Sequence, residues 1–271
     1  MHRRGMRVIV IVAGMLSASA AATSVQAAYI KSYDANSTTP APDPTSPAGG
    51  SWTIGGGSNA AVTKAAGTGS EGNFWQVTDT NTPGNNSVIY SVTNADAGFV
   101  SALTDAGGWT ASVRLKVLQS AVSAATANTA PTWIDIRTDA NPSSGVAEGR
   151  IFAFGFLNDP AAPTTEGVYF APNGSAMDVA NPIALMDLDG AFHQFDIVYT
   201  PAGADSAVRL YIDGATTPAF TILESSANTS TVGRFQWGSA AAGATQDVQW
   251  QVASFAAPVP EPSSLCGVAV G

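Results

Sequence analysis

Residues 191–215 read AFHQFDIVYTPAGADSAVRLYIDGA, two alternating runs parted by a short break rich in Pro, Gly and Asp. A period of two puts His193, Phe195, Ile197 and Tyr199 on one face of a strand and Phe192, Gln194, Asp196 and Val198 on the other. In the second run Val208, Leu210 and Ile212 oppose Arg209, Tyr211 and Asp213. One face is apolar and the other mixed, which predicts a β-hairpin with one side in a core. Pro201 and Gly203 break the ladder between the runs, and Asp213-Gly214 is a tight-turn pair that starts another reversal.

The same alternation recurs along the chain. Strands are predicted over 29–33, 52–54, 60–64, 73–78, 87–93, 108–118, 132–138, 150–157, 167–170, 218–223, 232–237 and 248–255, with a short helical turn over 95–105. The run over 108–118 reads as a central strand, with Val113, Leu115 and Val117 inward and Arg114 and Lys116 outward. RIFAFGFL, over 150–157, is apolar almost throughout, as a strand covered on both faces would be, and Gly155 is a candidate bulge. Many short strands, no repeat and no long helical period predict one antiparallel sandwich. The hairpin pattern, FHxFxIxY followed by VRLYIDG, resembles that of laminin G-like domains in the concanavalin A-like jelly-roll superfamily. That resemblance implies an all-β jelly roll of two antiparallel sheets, over 28–257.

With 271 residues, 45% of them apolar, the chain is long enough for a sizeable core. Charged residues make up only 11% and the formal net charge is -9, so the surface repels phosphate backbones and nucleic-acid binding is not expected. The single cysteine, Cys266, lies near the C-terminus, so neither a disulfide nor a cysteine metal site holds the folded body. Residues 1–27 combine a basic start (Arg3, Arg4, Arg7), an apolar stretch from Val8 to Leu16 and a small-residue exit before Ala28, the pattern of a cleaved signal peptide. The apolar stretch is about half the ~20 residues needed to span a bilayer, which favours cleavage over a retained anchor. A secreted or envelope location is expected.

After the domain, VPEPSSL resembles the PEP-CTERM sorting tail of exported bacterial proteins, with Pro260, Glu261 and Pro262 as its motif. The resemblance implies an exosortase-type membrane transpeptidase as partner. The tail over 258–271 departs from that pattern: its apolar end is short and no basic cluster follows, which reads as a truncated tail.

Candidate chemistry is sparse. A retaining glycosidase needs two carboxylates about 5 Å apart, and the glutamates are scattered, so no catalytic residues are assigned. His193 is the sole histidine after the leader, which leaves no Ser-His-Asp set or multi-histidine metal site, and a structural role is expected of it. Asp187-Leu188-Asp189-Gly190 looks like part of a calcium loop but lacks its downstream Glu and reads more simply as a turn. Calcium nevertheless occurs in some domains of the resembling families, so it stays open as a cofactor. Sugar contact is the most specific activity the pattern supports, because aromatic faces stack on sugar rings while polar side chains bond hydroxyls. Trp133, Asp135, Arg137, Gln194, Asp196 and Tyr211 are the candidates, each out of phase with its strand's apolar residues. Asp135 with Arg137 also reads as a surface ion pair, and Trp133 as packing. The expectation is a non-catalytic protein contacting extracellular polysaccharide or matrix. A structural or adhesive matrix protein without a small ligand, or less readily a glycoside hydrolase, are the alternatives.

Overall fold

The computed structural model describes residues 28–56, 62–80, 88–103, 108–121, 131–139, 149–174, 176–239 and 245–258. Residues 1–27, where a leader is expected, the connections over 81–87 and 122–130, the Pro260-Glu261-Pro262 motif and Cys266 lie outside them. The strands are β1 (Ala28–Asp34), β2 (Thr53–Gly56), β3 (Val62–Gly69), β4 (Gly72–Thr80), β5 (Val88–Thr93), β6 (Trp109–Ala121), β7 (Thr132–Thr138) and β8 (Gly149–Leu157). They continue with β9 (Gly167–Phe170), β10 (Ala184–Leu185), β11 (His193–Thr200), β12 (Ala207–Ile212), β13 (Phe220–Leu223), β14 (Thr229–Ser230), β15 (Gly233–Ser239) and β16 (Thr245–Pro258). One short helix, α1 (Ala97–Leu103), follows β5.

These strands make two antiparallel sheets. The first runs β13-β12-β11-β6-β16-β4-β3, with β1 also paired to β16; the second runs β10-β9-β8-β7-β15-β5-β2, with β14 beside β8. The hairpin of β11 and β12 forms as the alternation predicts, Phe195 facing Ile212 and Ile197 facing Leu210 in register. Asp213 and Gly214 both take positive φ, 51° and 72°, and the Ala215 amide donates to the Ile212 carbonyl, so the pair closes a tight turn. β6 is central, between β11 and β16, with Val113, Leu115 and Val117 fully buried.

The inward residues of both sheets meet in an aromatic seam around Trp237 of β15. Its ring lies 4.5 Å from Tyr90 in its own sheet, and 5.0 Å from Trp250 and 5.5 Å from Tyr33 in the opposite one. Trp75 of the first sheet donates its Nε1 hydrogen to the Tyr90 hydroxyl at 2.7 Å, tying the layers with a buried polar bond. Phe156 and Phe195 meet across the layers at 4.9 Å, and Phe235 and Phe255 at 5.9 Å. Rings of this size each bury ~150–250 Å² and supply most of what a disulfide-free sandwich needs.

Several elements differ from the sequence expectation. β10 and β14 have two residues each, too short to carry an alternating signal. β16 reaches from Thr245 to Pro258 because it pairs with β6 on one side and with β4 and β1 in turn on the other, absorbing two register shifts along β6. Gly155 is not a bulge. β8 keeps continuous register there, with Gly155 opposite Trp133 on one side and Tyr169 on the other.

Trp237→Ala removes the ring on which the seam converges. We expect a loss of ~3–5 kcal/mol, read as a lower urea midpoint by far-ultraviolet circular dichroism.

Candidate functional site

The alternation that sends Ile134, Ile136, Phe235 and Trp237 inward sends Trp133, Asp135, Arg137, Arg234 and Gln236 to the outward face of the second sheet. Cross-strand register aligns these into rows. One row reads Thr53, Ser91, Gln236, Asp135 and Ala153 across β2, β5, β15, β7 and β8. A second reads Thr93, Arg234, Arg137 and Ile151, and a third sets Trp133 between Gly238 and Gly155.

At the centre is Asp135, fully buried, with two guanidinium groups on it. Arg137 donates through Nε at 2.9 Å and Arg234 through Nε at 2.9 Å and Nη2 at 2.5 Å, all to Asp135 Oδ2; Arg137 Nε also reaches Oδ1 at 3.2 Å. Arg137 and Arg234 are direct cross-strand partners, an arrangement of like charges that is unfavourable unless a counter-ion sits between them. Burial pushes the Asp135 carboxyl up, while Arg234 and Arg137 pull it back down. The arginine side chains remain 25% and 20% exposed, so the carboxylate is sealed while the cations still reach outward.

Around this centre the polar atoms are mostly donors. Among the described residues the Trp133 indole N–H is buried without a hydrogen-bond partner, as is the Gln236 Oε1 acceptor. The rows end at a cleft of about 300 Å³ lined by Lys31, Ser51, Thr53, Ser91, Thr93 and Asp96, among others. Lys31 donates to the Ser51 carbonyl at 3.2 Å and lies over the Trp52 ring. Asp96 is committed elsewhere: Oδ1 caps α1 through the amides of Gly98 and Phe99, and Oδ2 accepts from the Tyr29 hydroxyl.

The six sequence candidates do not form one site. Trp133, Asp135 and Arg137 lie on the outer face of the second sheet, whereas Gln194, Asp196 and Tyr211 lie on the outer face of the first, with the whole core between them. Asp196 accepts there from the Ser112 hydroxyl at 2.6 Å and from Gln194 Nε2 at 2.9 Å. Trp133 is not an exposed stacking platform: it is 4% exposed and packs with Ile151, Tyr169 and Met177, because the segment after β9 returns over it. The Asp135–Arg137 pair is likewise a buried centre rather than a surface bridge. Arg234 and Gln236 were the unread members; they alternate with Phe235 and Trp237 in GRFQWGS by the same rule that marks Asp135 and Arg137.

His193 has a structural setting. Its Nε2 faces the Asp187 carbonyl at 2.8 Å and its Nδ1 faces Asp213 Oδ2 at 2.7 Å, stitching the start of β11 to the turn after β12. The carboxylates of Glu166, Asp187 and Asp189 lie within 4.8 Å of one another. Glu166 Oε1 accepts from the Leu188 amide, and Asp187 Oδ1 from the amides of Asp189 and Gly190, so the DLDG stretch is a turn braced by its own first side chain.

No protein-family model matches the chain, and no curated protein matches it. Solved structures do. A carbohydrate esterase from the Shiga toxin-encoding bacteriophage phi24B is similar over 83% of this chain and 96% of its own, at 18% identity and a TM-score of 0.52. Peanut lectin, solved with a nine-residue peptide, is 13% identical over 76% of this chain and 96% of its own, with a TM-score of 0.38. Basic winged bean lectin, solved with Tn-antigen, is 12% identical over 86% of this chain and all of its own, with a TM-score of 0.39. The fold is an all-β sandwich of two antiparallel sheets. At these identities the likeness concerns the fold alone.

The turn at Asp213 gives a pH test. Partial burial works against its charge, but hydrogen bonds from His193 and from the Gln194 amide outweigh it and hold the carboxyl below the usual range. A carboxyl depressed on folding stabilises fully above its unfolded pKa, about 4, and that gain is lost as pH falls through the lower folded value. Asp213→Asn should therefore lower Tm at pH 7, and the gap to the parent should close in a calorimetric series as the pH is taken down through and below the ordinary carboxylate range.

Proposed function

We propose that the chain is an exported, non-catalytic protein that contacts carbohydrate through the outer face of the second sheet. The observation that carries this reading is the pair of rows centred on Asp135, where two oriented guanidinium groups and a line of hydroxyls share one sheet face that ends at a cleft of about 300 Å³. Sugars offer hydroxyls in fixed array, and side chains held in register on a sheet meet them without losing much rotamer freedom.

A non-catalytic role is supported by the state of Asp135. Its carboxylate is enclosed by guanidinium donors and is badly placed to shuttle a proton or attack an anomeric carbon. Export is supported by the sequence of the leader over 1–27, and the Pro260-Glu261-Pro262 motif supports processing by an exosortase-type transpeptidase at the cell envelope. Ala28 and Pro258 are register partners at one end of the first sheet.

Retention of the full chain on immobilised extracellular polysaccharides tests the reading. The parent should be retained, Gln236→Ala combined with Arg137→Ala should weaken retention about tenfold, and Asp196→Ala on the opposite sheet should leave it unchanged. A parent that is not retained on any glycan yet still sits in the envelope would favour a matrix protein without a small ligand.

A further inference from the structure

The outer face of the second sheet has a marked imbalance between donors and acceptors. Arg137 and Arg234 supply cationic donors there, Lys31 of β1 adds one at the adjoining cleft, and Thr53, Ser91 and Thr93 carry hydroxyls along the strands between, that of Ser91 donating to the Thr53 carbonyl. The acceptors are mostly spent. Asp135 takes guanidinium donors from both arginines, and Asp96 takes the α1 amides and the Tyr29 hydroxyl. Asp139, at the end of β7, is buried and has a partner of its own.

Arg137 is the pivotal group. It gives Asp135 only its Nε hydrogen, so among the described residues its two terminal amino groups have no carboxylate. Arg234, by contrast, gives Asp135 both Nε and Nη2. A guanidinium fork of this kind matches a carboxylate in two parallel bonds. Gly174, with φ at +83°, passes so close that any side chain there would strike Arg137 Nη2, so glycine is what permits the turn to border this fork. A wholly neutral sugar would satisfy the hydroxyls but leave the fork without a counter-charge.

We infer that this face selects a glycan bearing an isolated carboxylate, a sugar acid at a chain end or branch, with the carboxylate on Arg137 and neighbouring hydroxyls toward Thr93, Ser91 and the cleft. The inference rests on the reading of this face as the glycan contact. The net charge of -9 adds a further restriction: a uniformly charged polyuronate is repelled by the rest of the surface, whereas one carboxylate on a neutral chain is not.

The test uses the full chain with a neutral oligosaccharide and the same oligosaccharide ending in a uronic acid, titrated calorimetrically at low and physiological salt. The acidic ligand should bind about tenfold tighter than the neutral one. Arg137→Gln should abolish that gap, and Arg209→Gln, on the first sheet, should preserve it. Should Arg137→Gln fail to fold, Arg137→Lys keeps the charge without the fork and should shrink the gap. Equal affinities in the parent, or a gap that survives loss of the fork, overturn the inference and leave the glycan reading standing. Failure of both ligands to bind overturns the two together.

Discussion

The contact between the two layers is the constraint on which the rest of this structure depends. Trp237, Tyr90, Tyr33 and Trp250 converge where the sheets face each other, and no disulfide shares the task. A sandwich held by ring packing must commit alternate residues of every central strand to the interior. The outward residues are then free of that duty, and on the second sheet they carry charge and hydroxyls in rows. Asp135 is the price of that arrangement: a carboxylate buried beneath two arginines, whose loss would leave uncompensated cations.

The fold was readable because its signal is local. FHQFDIVY and VRLYI alternate cleanly, and Phe195, Ile197, Val208 and Leu210 all reach the core as their phase requires. The two-residue strands β10 and β14 gave no such signal, since alternation needs more than one period to be seen. Gly155 was misread as a bulge for the same reason: it pairs with Trp133 and Tyr169 on neighbouring strands, and strand register is not a local property.

The site was only half readable. Phase separates a strand's two faces but does not tell which sheet a strand joins, so Trp133, Asp135 and Arg137 were grouped with Gln194, Asp196 and Tyr211 although the core divides them. Nor does phase reveal coverage. Trp133 faces outward from its sheet and is still buried, because Met177 and its neighbours fold back over it. Arg234 and Gln236 could have been found from GRFQWGS, but their importance comes from standing opposite Arg137 and Asp135, which only pairing discloses.

The central claim is that the second sheet's outer face, not the first's, is where this protein meets a ligand. Side-chain nitrogen–proton spectra of the full chain, recorded while an oligosaccharide is added, address it directly. The account predicts that the Nε–H signals of Arg137 and Arg234 and the amide of Gln236 move together, while those of Arg209 and Gln194 stay in place. Movement confined to Arg209 and Gln194 would contradict it.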